Sequence, residues 1–151
     1  MKVMTIDTMK KLDSLWITSL ALSVLGALDA FYLSWVKISH TQVFCGGSGN
    51  CERVNTSVYS ELFSIPIAYL GLAAYLFLVI VLVLEIRQIV RKDLSALTIF
   101  GTCLVGALYS LYLTFIEIWV IKSICPYCLV SAIIMILLFA LAVVRGRPYL
   151  M

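Results

Sequence analysis

Charge is what this chain has least of. Only 13% of its 151 residues are Asp, Glu, Lys or Arg, 63% are hydrophobic, and the mean hydropathy is +1.08. A water-soluble domain of this size must cover a large surface with polar groups, so this composition excludes one and places the chain in lipid. Histidine is scarcer still: His40, the single one, falls in the loop after the first apolar segment and reads as a solvated residue rather than a catalytic base. A small-residue cleavage site is also lacking before that loop. The first apolar segment, although preceded by Lys10 and Lys11, is therefore read as a retained helix and not as a signal peptide.

What is present is four apolar stretches, near residues 15–36, 62–84, 96–121 and 124–144. Each has the roughly 20 residues needed to cross about 30 Å of hydrocarbon. The expected fold is an all-α integral membrane protein, a four-transmembrane-helix bundle in one domain over 1–151, with an outward loop and lid over 37–61. Eight of the eleven basic residues flank the spans on one side, with Lys37, Arg53 and Lys122 on the other. Short basic loops stay in the cytoplasm, so both termini are expected there and the intervening loops outside. The net charge of +3 is a topology signal, and no nucleic-acid partner is expected. Trp16 falls at the expected inner boundary, and Trp35, Tyr59 and Trp119 at the outer one, where amphipathic rings favour headgroups.

The chain resembles itself. Residues 26–36, Gly-Ala-Leu-Asp-Ala-Phe-Tyr-Leu-Ser-Trp-Val, align with residues 106–116, Gly-Ala-Leu-Tyr-Ser-Leu-Tyr-Leu-Thr-Phe-Ile. A parallel repeat of two helix hairpins would explain this, and convergence on small residues in a tight bundle is the alternative. Either way Gly26, Ala27, Ala30, Gly106 and Ser110 are expected at helix contacts.

Five cysteines carry the chemistry. Cys125 and Cys128 stand three apart in Cys125-Pro126-Tyr127-Cys128, opening the last span. At a helix start these positions share a face, free backbone N–H groups favour a thiolate, and Pro126 suits the first turn. Such pairs are typically redox-active, a buried structural disulfide being the alternative. Cys45 and Cys51 flank Gly46-Gly47-Ser48-Gly49-Asn50, a linker that turns easily and could swing one sulfur towards Cys125. Stapling of the loop, or a four-thiolate zinc site, would be other uses, although the membrane siting counts against a metal. Cys103, towards the cytoplasmic end of the third span, reads as a packing residue. Residues 54–62 are expected to form a short amphipathic lid helix across the bundle mouth. Asp29 and Glu117, carboxylates inside spans, are functional suspects by that placement alone.

Taken together, Cys45 and Cys51 after the first helix, Cys51-Glu52-Arg53-Val54-Asn55-Thr56-Ser57, Tyr112-Leu113 in the third helix and Cys125-Pro126-Tyr127-Cys128 at the fourth resemble the vitamin K epoxide reductase family over nearly the whole chain. The resemblance implies an enzyme, a thiol:quinone oxidoreductase, with a bundle built around a membrane quinone of menaquinone, ubiquinone or vitamin K type. It implies that electrons enter at Cys45 from a thioredoxin-fold partner, pass through Cys51 to Cys125, and reach the quinone from Cys128, with Ser57 facing the quinone site. Two positions depart from the vertebrate pattern. No Asn stands near Phe63-Ser64-Ile65-Pro66, and the fourth-helix Tyr is Ala132 here. The chain thus looks more like the prokaryotic members that make disulfides than like an epoxide reductase. Those members often carry a fused thioredoxin-like domain, so a separate partner is implied. The disulfide-bond protein B family, the nearest rival, has its cysteine pairs in the reverse order, and a non-enzymatic four-span scaffold would predict inert cysteines.

Overall fold

A computed structural model describes residues 6–45 and 51–150. Four long helices carry the fold: α1 (Ile6–Ser39), α3 (Ile67–Ile86), α4 (Lys92–Ile116) and α5 (Pro126–Leu150). Between α1 and α3 lie a short helix α2 (Cys51–Asn55), a 3-10 turn (Val58–Ser60) and a two-stranded hairpin of β1 (Glu61–Leu62) and β2 (Ile65–Pro66). A π-helical segment, Glu117–Ile121, extends α4. Among the described residues, four helices are long and apolar enough to cross a membrane. Their outer faces present large apolar side chains such as Leu28, Val105, Phe115 and Ile133, as a lipid-facing bundle requires. The protein is a multi-pass membrane protein, as its composition predicts.

Several hydroxyls within the spans are satisfied internally. Ser19, Ser23 and Ser34 donate to the carbonyls of Leu15, Ser19 and Ala30 one turn back, at 2.7–2.8 Å, which removes the cost of a bare hydroxyl in an apolar setting. At the end remote from the cysteine pairs, Arg145 Nη2 donates to Glu85 Oε1 at 2.6 Å, and Ser95 Oγ donates to Glu85 Oε2 at 2.6 Å. One buried carboxylate thereby ties α3, α4 and α5 together.

Two apolar clusters stack along the bundle. The first gathers Tyr75, Leu78 and Leu82 of α3, Cys103 and Ala107 of α4, and Met135 and Leu138 of α5. Gly26 lies directly beneath the Tyr75 ring, and a Cβ at Gly106 would fall 2.8 Å from Met135 Sδ. The two glycines of the sequence repeat thus each admit a side chain from the next long helix. Ala27 and Ala30 are buried as expected, whereas Ser110 lines a cavity. The second cluster, nearer the loop, holds Leu33, Val36, Val54, Ile116 and Ile121 around Cys51 and Cys125.

The structure corrects several details. The second long helix starts at Ile67 and not at residue 62, because 62–66 forms the hairpin, with Glu61 opposite Pro66 and Leu62 opposite Ile65. The lid is two short helical turns and that hairpin, in place of one helix over 54–62. Cys103 lies near the middle of α4, fully buried as a packing residue should be. Trp16 donates its indole N–H to Leu82 O at 3.1 Å, so its polar edge is spent on α3 and not on a headgroup, while Trp35, Tyr59 and Trp119 are exposed.

Candidate functional site

The segment leading to Cys45 is pinned from both sides. Phe44 N–H donates to Tyr32 Oη at 3.2 Å, and Tyr127 Oη donates to Phe44 O at 2.6 Å. The two tyrosine rings lie 5.1 Å apart. Val43 N–H reaches Glu52 Oε2 at 3.3 Å, closing the same strip onto α2. Cys45 is joined to Cys51 by a disulfide with Cα atoms 6.1 Å apart, and Cys51 opens α2 with its side chain buried. The linker 46–50 lies outside the described residues.

Lys37 anchors the lid. Its Nζ donates to Asn55 O at 2.8 Å and Ser60 Oγ at 3.2 Å, and lies 3.7 Å from Glu61 Oε1. Ser57 Oγ donates to Val54 O at 2.8 Å, which folds the chain after α2 back over the bundle.

The second pair is set by how α4 ends and α5 begins. The π segment widens the last turn, and Lys122 takes a left-handed conformation, φ 54°. Ser123 N–H returns to Glu117 O at 3.0 Å. Helix α5 then starts at Pro126, with Leu129 N–H bonded to Cys125 O at 3.0 Å, so Cys125 is the last residue before the helix and Cys128 sits within its first turn. Cys125 is buried in the outer cluster beside Cys51. It carries a free thiol, as do Cys128 and Cys103. A hydrogen bond from the Cys128 thiol holds Cys125 below the usual thiol range, against the opposing effects of burial and of the Glu117 charge.

Below this pair lies a cavity of about 680 Å³, within the usual size range of small-molecule sites. Asn55, Ser57, Ser60, Glu117 and Cys128 are among its polar lining residues, and Leu33, Ala68, Leu113 and Met135 are among its apolar walls. Small residues make the room: a Cβ at Gly101 would meet nothing within 4 Å, and Ala132 also lines the space. Cys128 is on this wall, whereas Cys51 and Cys125 are not. The four cysteines singled out in the sequence therefore converge on one end of the bundle, and Ser57 and Cys128 reach the cavity together.

Sequence reasoning gave no role to Tyr32, Tyr127 or Lys37, whose work is to hold loop and lid in place. Their signal was weak, since tyrosines and a lysine at a membrane boundary have many other uses. Of the two suspect carboxylates, Glu117 lines the cavity and Asp29 does not, although one Asp29 oxygen is buried without a hydrogen-bond partner.

The fold and the site define a multi-pass membrane protein with two cysteine pairs at one end of its bundle, next to a largely apolar cavity. The particular family follows from comparison: the model of the vitamin K epoxide reductase family matches residues 17–143, and the chain belongs to that family. It is also 32% identical over 123 residues to the thiol-disulfide oxidoreductase LTO1 of Arabidopsis thaliana. That match covers 77% of this chain and 32% of LTO1, so the chain spans about a third of the length of that relative.

Proposed function

We propose that this protein is a thiol:quinone oxidoreductase that oxidises a thioredoxin-fold partner at its loop and reduces a membrane quinone in its cavity, supporting disulfide formation in secreted proteins. The observation that carries the reading is the graded placement of the four cysteines. Cys45 is partly exposed, Cys51 and Cys125 are buried in one cluster, and Cys128 lines the cavity. Sulfur chemistry can then move inward by steps.

In the first exchange a partner thiolate attacks Cys45, forming a mixed disulfide and releasing the Cys51 thiolate. Cys51 attacks Cys125 of an oxidised Cys125–Cys128 pair, which frees Cys128. The partner's second thiol resolves its own mixed disulfide and releases Cys45, whose attack on the Cys51–Cys125 bond restores Cys45–Cys51 and leaves Cys125 and Cys128 reduced. The cavity residues fit a quinone, since Cys128, Ser57 and other polar groups line a space whose walls are largely apolar, as a ring and hydrocarbon tail require. A bound quinone would supply a two-electron, two-proton acceptor. The chain's part is to present Cys128 to it and exclude competing thiols.

The charge distribution supports a cytoplasmic location for both termini and an extracytoplasmic one for the cysteines, at the cell membrane, where disulfides persist. The test is quinone reduction followed by absorbance with a reduced thioredoxin-like donor. Turnover is expected to vanish in Cys51→Ala and Cys128→Ala and to persist in Cys103→Ala. Turnover indifferent to Cys128 would refute the relay and favour an inert scaffold.

A further inference from the structure

We propose that Glu117 is a catalytic residue of this site, the base that takes the thiol proton of Cys128 and delivers it into the cavity. The inference rests on the quinone-reductase reading and extends it to the protons.

Glu117 is 5% exposed, in a chain where burying a lone carboxylate is costly. Among the described residues no Lys, Arg or His lies within ion-pair distance of it. Its hydrogen-bond donor is instead a reacting residue: Cys125 N–H points at Glu117 Oε2 from 3.4 Å, and Cys128 shares the cavity wall with it. The other buried acid, Glu85, has an arginine and a serine to itself. A carboxylate left without a cation beside a thiol is suited to accept a proton rather than to hold the fold together.

The backbone gives a second, independent observation. Glu117 is the first residue of the π segment, and such segments concentrate at functional sites. It lines the cavity together with Cys128. One side chain therefore reaches both the junction that carries the dithiol and the space in which a quinone must gain a proton.

The chemistry balances as follows. Oxidation of the dithiol breaks two S–H bonds and forms the Cys125–Cys128 bond, and two electrons and two protons enter the quinone. Glu117 carries the Cys128 proton to one quinone oxygen. Cys125, already biased towards its thiolate, gives its proton to water at the loop side, and water supplies a proton to the second quinone oxygen.

The other titratable groups around the cavity are Tyr59 of the lid, Tyr75 of α3 and Tyr109 of α4, and Asp29 of α1 has one oxygen buried without a hydrogen-bond partner. Tyrosines ordinarily ionise near pH 10 and are poor bases at neutrality. Asp29 is the rival, and it does not line the cavity.

The experiment compares the full-length protein with Glu117→Gln, Glu117→Asp and Asp29→Asn. General-base catalysis typically contributes about 100-fold or more. Glu117→Gln is expected to slow quinone reduction by roughly 100-fold and to lose the fall in rate towards acid pH that a carboxylate base imposes, while Glu117→Asp retains that fall and part of the rate. That Glu117→Gln folds is shown separately by its helical circular dichroism and by an unfolding midpoint close to that of the native protein. An independent readout is infrared difference spectroscopy of the reduced and chemically oxidised protein without quinone. Native protein should show a carboxyl band that changes with the redox state of the pair, and Glu117→Gln should lack it. Glu117→Gln turning over like the native chain, or an acid limb lost in Asp29→Asn instead, would overturn the assignment. Failure of native protein to reduce its inner pair with any donor would instead refute the underlying relay.

Discussion

Two glycines in the same bundle should respond to the same substitution with opposite signs. At Gly26 an added Cβ would overlap Cε1, Cζ and Cδ1 of Tyr75. That ring cannot retreat cheaply, because it is 1% exposed and its hydroxyl donates to Ser131 O at 2.9 Å. Overpacking of this kind costs about 1–3 kcal/mol, and losing the tyrosine hydrogen bond adds about 1 kcal/mol. Replacing glycine in a helix returns about 1 kcal/mol, so Gly26→Ala should destabilise the fold by about 1–3 kcal/mol. At Gly101 the Cβ meets nothing within 4 Å, and only the helix-propensity gain of about 1 kcal/mol remains. The two variants should therefore differ by roughly 2–4 kcal/mol, measured by reversible unfolding in mixed detergent micelles. Equal shifts, or a Gly26→Ala protein as stable as the native one, would refute the proposed contact between α1 and α3.

Two further perturbations test the supports of the site. Removing Glu85 with Glu85→Ala leaves Arg145 buried without its carboxylate and should cost about 3–5 kcal/mol, whereas the double replacement Glu85→Leu/Arg145→Leu should cost much less; the same unfolding assay decides, and additive losses would contradict a coupled pair. Tyr127→Phe removes the 2.6 Å bond to Phe44 O, worth about 1 kcal/mol. It should slow donor-dependent reduction of Cys125–Cys128 about fivefold and leave quinone reduction by prereduced protein unchanged, and slowing of the second reaction instead would place Tyr127 elsewhere in the mechanism.

Hydrophobic length alone made the four long helices legible, because lipid forces each spanning segment to satisfy its backbone internally. The hairpin before α3 was not legible. Phe63 and Ser64, the two residues between its strands, both have positive φ, 52° and 65°, the conformation that tight hairpins usually mark with Asn-Gly. Phe and Ser carry no such mark, and Leu62, Phe63 and Ile65 read as the first residues of a span. The lid failed as a single helix for a related reason. Its hydroxyl residues compete for backbone groups, and Thr56 and Ser57 bond back to Glu52 O and Val54 O at 2.7 and 2.8 Å.

The cysteine motif illustrates what spacing conveys and what it leaves to the fold. Two cysteines three apart at the head of a helix could share one face, and then either sulfur could meet the cavity. In the structure the helix starts between them, at Pro126. Cys125 is left on the extended approach, packed among Ile116, Ile121 and Cys51, while Cys128 is carried round the first turn onto the cavity wall. The register of a single proline thus separates a sulfur that can meet the loop from one that can meet a lipid-soluble acceptor. The same junction draws in Glu117, since the π segment before it returns Ser123 N–H to Glu117 O and leaves the carboxylate accepting from Cys125 N–H at 3.4 Å. Nothing in the residue spacing specifies a π turn, so from sequence Glu117 could be marked only as a carboxylate at membrane depth; its distance from Cys125 N is what turns that suspicion into an assignable role.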